Sequence, residues 1–314
     1  MDKKRLRFVD EARGLAMLVV MSWHIIGVHS HWTDSWTMPI FFFVMGLFYK
    51  QELSVRKLMV KKLNTLIVPL IFCSIPALVI SLYNHGWINT LKEIVNPYGC
   101  INPCSWFLVC IFFCYVIYWG INKIANSINQ RIFCSLIVSL IGFYSSQFHI
   151  MGHRIVFPLF ISTAMTMIFM IESGRLMKNM IVDKNWGGSL WMQALLIILF
   201  VLLTLIFTPA PQNMIWSEYG TKNYVLYFAL SFTGSTLILL LCYKMEYILK
   251  CISVFGRLSL LLLILHSYVH MILDTLVENV YSNYILTSIL TLVIAYIIDK
   301  YMPIVTGKEP IFKY

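Results

Sequence analysis

Charged side chains are scarce in this sequence: Asp, Glu, Lys and Arg supply 12% of its 314 residues, against 59% hydrophobic, and the mean hydropathy is +0.77. So little charge excludes a water-soluble globule of this size, because its surface would lack polar cover. Acidic residues are the scarcer sign, 14 against 24 basic, for a net charge of +10. A nucleic-acid binder would gather that excess into one basic face, whereas here Lys and Arg fall in small clusters between apolar runs, so no nucleic-acid partner is expected. Zinc-type C-x-x-C pairs are absent among the eight cysteines. His149/His153 and His266/His270 have the four-residue spacing of helical metal ligands but no evident third ligand, so they read as packing residues and no metal is expected. No internal repeat is evident, which weakens a transporter built from two matched halves. A cleavable leader is not expected either, since Asp10, Glu11 and Arg13 interrupt the apolar core that would follow the basic start and no small-residue cleavage site follows Val28.

What is abundant is apolar run. A membrane-spanning helix needs about 20 mostly apolar residues, and such runs lie near 8–30, 34–50, 63–84, 104–121, 131–148, 155–172, 188–208, 222–243, 257–276 and 282–301. The fold expected is therefore an all-α integral membrane protein of about ten transmembrane helices, a single domain over 1–314 with no soluble domain. The second run is the shortest, its dense part being Thr37–Tyr49, which leaves tilted, broken and re-entrant forms open. Of the 24 Lys and Arg residues, 20 fall on alternate loops, the last of them Lys300, Lys308 and Lys313. By the positive-inside rule those loops and both termini face the cytoplasm. Trp32, Trp36, Trp87, Trp106 and Trp216 fall on the opposite side, as interfacial anchors. So do Cys100 and Cys104, whose four-residue separation leaves both a tight disulfide and free thiols open.

Ionisable groups inside a span are costly and mark function by default. The first run carries Asp10, Arg13 and His24. Helical geometry puts Asp10 about 60° and His24 about 20° from Arg13 around the axis, with His24 about 16 Å further along it. One stripe of one helix thus carries all three, Arg13 near the cytoplasmic edge and His24 in the outer half. Pairing near the headgroups is a sufficient structural reason for Asp10 and Arg13, but packing alone is a poor reason for His24. On this topology none of the eight histidines lies in a cytoplasmic loop, which suits an outward-facing site that needs a neutral base.

The segment Phe8-Val9-Asp10-Glu11-Ala12-Arg13-Gly14, running to Trp23-His24, resembles the opening signature of the acyltransferase family 3 proteins. Met38-Pro39-Ile40-Phe41-Phe42-Phe43-Val44-Met45-Gly46 resembles that family's second signature in the form of its fucose 4-O-acetylase-like members. Lys61-Lys62 before Leu66-Ile67-Val68-Pro69, Ser105-Trp106-Phe107-Leu108, and Phe255-Gly256-Arg257-Leu258-Ser259-Leu260 with His266 follow in the family's order. Asn64 stands where many members have Arg, and Met45 where Ser is usual.

The resemblance implies an enzyme of the cytoplasmic (inner) membrane of a bacterium, an O-acyltransferase moving an acetyl group from cytoplasmic acetyl-CoA to a hydroxyl of an extracytoplasmic or lipid-linked glycan. On that footing Lys61, Lys62 and Arg13 would hold the anionic coenzyme. His24 would act as general base or as transient acyl carrier, with Arg13 and Asp10 completing the catalytic set. The alternative reading is a transporter or exporter of a small metabolite with the same fold.

Overall fold

A computed structural model describes residues 6–96, 106–150, 153–154, 156–183, 190–207, 212–245 and 249–313. The helices are α1 (Arg7–Ile25), α2 (His31–Thr37), α3 (Pro39–Leu47), α4 (Val55–Lys62), α5 (Val68–Val95), α6 (Trp106–Ile124), α7 (Ile128–Ser145), α8 (Ile161–Thr166), α9 (Ile168–Lys178), α10 (Leu190–Phe207), α11 (Tyr224–Lys244), α12 (Ser253–Arg257), α13 (Ser259–Asp274) and α14 (Val280–Tyr301). A two-residue hairpin, β1 (His149–Ile150) with β2 (His153–Arg154), is the one sheet among the described residues. Side-chain caps start several helices: Ser30, Ser127, Asn223 and Asn279 each accept a backbone N–H from the first turn they precede.

Every apolar run of the sequence has helical counterparts, but not one helix per run. The first helix stops at Ile25 rather than near residue 30, because Gly27 turns the chain with φ 74°. The second run is broken at Met38, where Pro39 opens α3 as its first residue. The sixth is broken at Met167, between α8 and α9. In the third, Pro69 has no N–H to give and the hydrogen-bond ladder widens to a π-segment over Leu63–Ile67 just before it. The same helix reverses at Gly86 (φ 73°, ψ 170°), and Ser81, His85 and Glu93 clip its two arms together.

Among the described residues, five helical stretches are long and apolar enough to cross a bilayer: Val55–Ile94, Trp106–Ile124, Ile128–Ser145, Tyr224–Lys244 and Val280–Tyr301, with shorter apolar helices at Gln193–Ile206 and Ser259–Asp274. Helix α1 does not count among them because Arg7, Asp10, Glu11 and Arg13 crowd its first two turns. Polarity runs inside out along several of these helices. In α14, Asn283, Thr287, Ser288 and Thr291 are buried while Ile285, Ile289, Val293 and Ile297 are exposed. In α7, Ser135, Ser139 and Ser145 are buried while Phe133, Ile137 and Ile141 are exposed. That arrangement suits lipid as the solvent, since small and polar residues join helices while aliphatic ones face the acyl chains. The protein is a helical, multi-pass membrane protein.

The chain forms two compact units. The first comprises residues 1–50, 167–214 and 218–259, with α1 on α12, α3 on α9, and α11 touching α1, α2, α3 and α10. Helices α3 and α9 cross with backbones in contact: a Cβ on Gly46 would meet the carbonyl of Ile171, and one on Gly174 the carbonyl of Phe43. Met45, beside Gly46, is buried at that crossing.

The second unit comprises residues 51–166, 215–217 and 260–314. Helices α6 and α7 pack on α8, where Ser139 donates to the carbonyl of Met165 and the Ser145 and Ser162 hydroxyls meet at 3.2 Å. Asn64 uses its whole amide. Its Oδ1 accepts from the N–H groups of Ile311 and Phe312, and its Nδ2 donates to the carbonyls of Val60 and Phe312. A side chain that both donates and accepts is required to hold the tail this way, which an Arg, having no acceptor, would not do.

Candidate active site

Helix α1 lies so close to α12 that neither crossing point admits a side chain. A Cβ on Gly14 would meet the carbonyl of Ile252, and one on Gly256 the carbonyl of Asp10. This contact brings the Phe255–Ser259 segment onto the first turns of α1. Arg13 Nη2 there donates to Ser259 Oγ at 2.7 Å, and Arg13 Nη1 lies 4.0 Å from Asp10 Oδ1. Asp10 is buried, whereas the Arg13 side chain keeps 30% of its surface exposed. A guanidinium fixed from two sides but still partly accessible is suited to receiving an anion. Glu11, 100° further around the helix from Asp10, is fully buried. Helical spacing alone does not single Glu11 out, because periodicity distinguishes faces without telling which neighbour covers them.

His24 lies on the same helix, in its last turn, and is exposed. The apolar run near 8–30 would place it inside a longer span. The early end at Gly27 puts it instead where the chain leaves the helix.

Around that end the loop and α2 gather further groups. The Trp23 and His29 rings stack at 5.5 Å with planes 19° apart. His29 Nδ1 lies 3.7 Å from Oδ2 of buried Asp34, and the Thr33 hydroxyl reaches Asp34 Oδ1 at 3.4 Å. The His31 and Trp32 rings are 5.9 Å apart. In the sequence, His29 and His31 fall among the histidines outside the cytoplasmic loops, Trp23 in the opening signature and Trp32 among the interfacial anchors, while Asp34 has no role there. The dense His-Ser-His-Trp-Thr-Asp stretch is the signal available for Asp34.

Lys61 and Lys62 belong to the second unit. Lys61 Nζ meets Glu52 Oε1 at 2.7 Å, and the Glu52 carbonyl accepts from Trp119 Nε1. The hydrogen bond from Lys61 holds the Glu52 carboxyl below its ordinary 4.5, outweighing its partial burial. Lys62 Nζ sits 3.3 Å over the Tyr115 ring. The two lysines that the sequence reading assigned to the coenzyme are therefore already engaged with a carboxylate and an aromatic face.

His266 and His270 do not share a ligand: Nδ1 of His266 faces the carbonyl of Leu262 at 3.0 Å, and Nδ1 of His270 faces Asn283 Oδ1 at 3.3 Å. Among the described residues no set of three His, Cys, Asp or Glu is arranged to hold a metal. Cys100, Cys104 and Ser105, and the side chains of His149, His153 and Trp216, lie outside the described residues.

No curated protein and no solved structure matches the chain. The acyltransferase domain of the family 3 model matches residues 6–300, a stretch that holds both the Asp10–Arg13–Ser259 cluster and His24, and the chain belongs to the acyltransferase family 3 membrane proteins.

Proposed function

We propose that this acyltransferase is an O-acetyltransferase of the bacterial cytoplasmic membrane, taking acetyl from cytoplasmic acetyl-CoA and delivering it to a hydroxyl of an extracytoplasmic or lipid-linked glycan. The observation that carries the reading is that one helix, α1, holds Arg13 in an anion-ready cluster at one end and an exposed imidazole, His24, at the other. The separation, about 16 Å along the axis, suits a donor whose phosphates and thioester lie far apart on an extended arm. Lys61 and Lys62, in the second unit, are the further basic residues we assign to the anionic coenzyme, whose phosphates would compete with Glu52 for Lys61.

A sugar hydroxyl is too weak an acid to attack a thioester unaided. His24 takes its proton as the hydroxyl oxygen bonds to the carbonyl carbon, and the proton passes to the sulfur as the C–S bond breaks. In the carrier form of the reaction the imidazole nitrogen bonds the acetyl group first, releases the thiol, and then yields the acetyl to the hydroxyl. Either path ends in the same ester and free coenzyme A.

The test is transfer of radiolabel from acetyl-CoA to glycan by membranes containing the protein. Alkali-labile label in the glycan is the result expected. Flux of a small metabolite without acetyl transfer would replace the reading with that of a transporter.

A further inference from the structure

A carboxylate buried at the end of a helix needs a reason, because removing its hydration costs several kcal/mol unless partners replace it. Asp34 is 4% exposed, and its carboxylate interacts with the Thr33 hydroxyl and the backbone N–H groups of Ser30 and Gln212, although Oδ2 has no partner at full hydrogen-bond geometry among the described residues. The side chain paired with that oxygen is His29, its Nδ1 at 3.7 Å, an ion-pair distance too long for a hydrogen bond. A second polar atom is stranded on the other side chain that His29 touches. Trp23 Nε1, on the indole that stacks against His29, is buried without a partner. One orphan is a donor and the other an acceptor, and the half-exposed ring of His29 lies against both side chains. A hydroxyl offers both kinds of partner at once.

We propose that His29 is an acceptor-binding residue of this enzyme and that Asp34 positions it. With Nδ1 turned to the Asp34 carboxylate and the ring plane set by Trp23, Nε2 is left to donate to a hydroxyl oxygen of the acceptor. The charge of the site selects between the two substrates: a buried carboxylate repels an anionic coenzyme but not a neutral hydroxylated ring. Its place agrees with this, because Trp23 immediately precedes His24 in the last turn of α1, whereas Arg13 lies three turns away. The inference rests on the acetyl-transfer reading and adds the residues that select its acceptor.

The experiment measures initial rates of label transfer from radiolabelled acetyl-CoA to envelope glycan from the host cells, stripped of its own acetate by mild alkali, in membranes carrying equal amounts of each variant. His29→Ala should raise the KM for glycan about tenfold with the KM for acetyl-CoA unchanged, the loss of one hydrogen bond from the imidazole N–H. His29→Gln, which keeps an N–H in the same region, should recover most of that loss. Asp34→Asn should raise the same KM by a smaller factor, and if it does not accumulate, the two His29 variants decide alone. An unchanged glycan KM in His29→Ala, or a fall in kcat alone, overturns the proposal. A silent wild-type protein overturns the acetyl-transfer reading itself, and the acceptor site with it.

Discussion

Arg13 donates to Ser259 across 246 positions of sequence, joining the helix that opens the chain to a serine at the start of α13. The hydrogen bond exists because two glycines, Gly14 and Gly256, let α1 and α12 touch through their backbones. Arg13→Lys should therefore lower acetyl transfer sharply even though charge is kept, since an ammonium cannot reach Ser259 and Asp10 with the fixed fork of a guanidinium. Ser259→Ala should lower it less, by about three- to tenfold, the worth of one hydrogen bond to a charged group. Rates in membranes with matched protein levels check both; equal rates for Arg13→Lys and wild type would remove the guanidinium from the mechanism.

Gly256→Ala should be more damaging to the fold than to any single contact. Its new methyl group would meet the carbonyl of Asp10, which is backbone and cannot swing aside. Overpacking of this kind costs about 1–3 kcal/mol or forces the helices apart. The expected outcome is a lowered melting temperature in detergent together with lost activity. Normal stability would show that α1 and α12 do not pack this closely.

His24→Ala should abolish acetyl transfer without preventing membrane insertion. The side chain is exposed at the end of α1, so its removal opens no core cavity. Loss of a general base or acyl carrier costs a factor of at least about a hundred. Acetate released by alkali from glycan is the readout, and near-normal release would end the role proposed for this imidazole.

Acid should loosen the segment that carries Lys61. The Glu52 carboxyl lies below its ordinary 4.5 because Lys61 donates to it, so the folded state favours the ionised form. The resulting stability is complete above that ordinary value and is lost as pH falls through the lower folded one. Hydrogen-exchange protection over residues 51–62, taken relative to the unstructured chain at the same pH, should fall in that window, and Glu52→Gln should abolish the acid-dependent part. Protection in the wild type that does not change between neutral pH and pH 3 would contradict this.

If the alternating basic loops set the topology, tags at both termini will resist external protease in right-side-out vesicles while a tag beside Pro211 is cut. An accessible terminus would overturn the orientation.

Hydropathy and local chemistry made much of this protein legible. The apolar runs located every long helix, since the need to satisfy backbone groups in lipid leaves helix as the form such runs take. The Asp10, Arg13 and His24 positions followed from helical spacing, and α1 does hold all three. Breaks within runs were less legible. A proline at residue 39 was visible, but whether it bends, starts or splits a helix depends on what packs around it.

Tertiary structure alone decided which groups meet. No periodicity in α1 points to Ser259, to the clasp of Asn64 on Ile311 and Phe312, or to the burial of Asp34 beneath His29. These pairings join segments by close backbone approach and by hydrogen bonds and ion pairs at partly buried contacts, and such energies depend on distances between elements that no single segment encodes. The apolar pattern set what must leave water; the packing of small residues set which polar groups then faced one another.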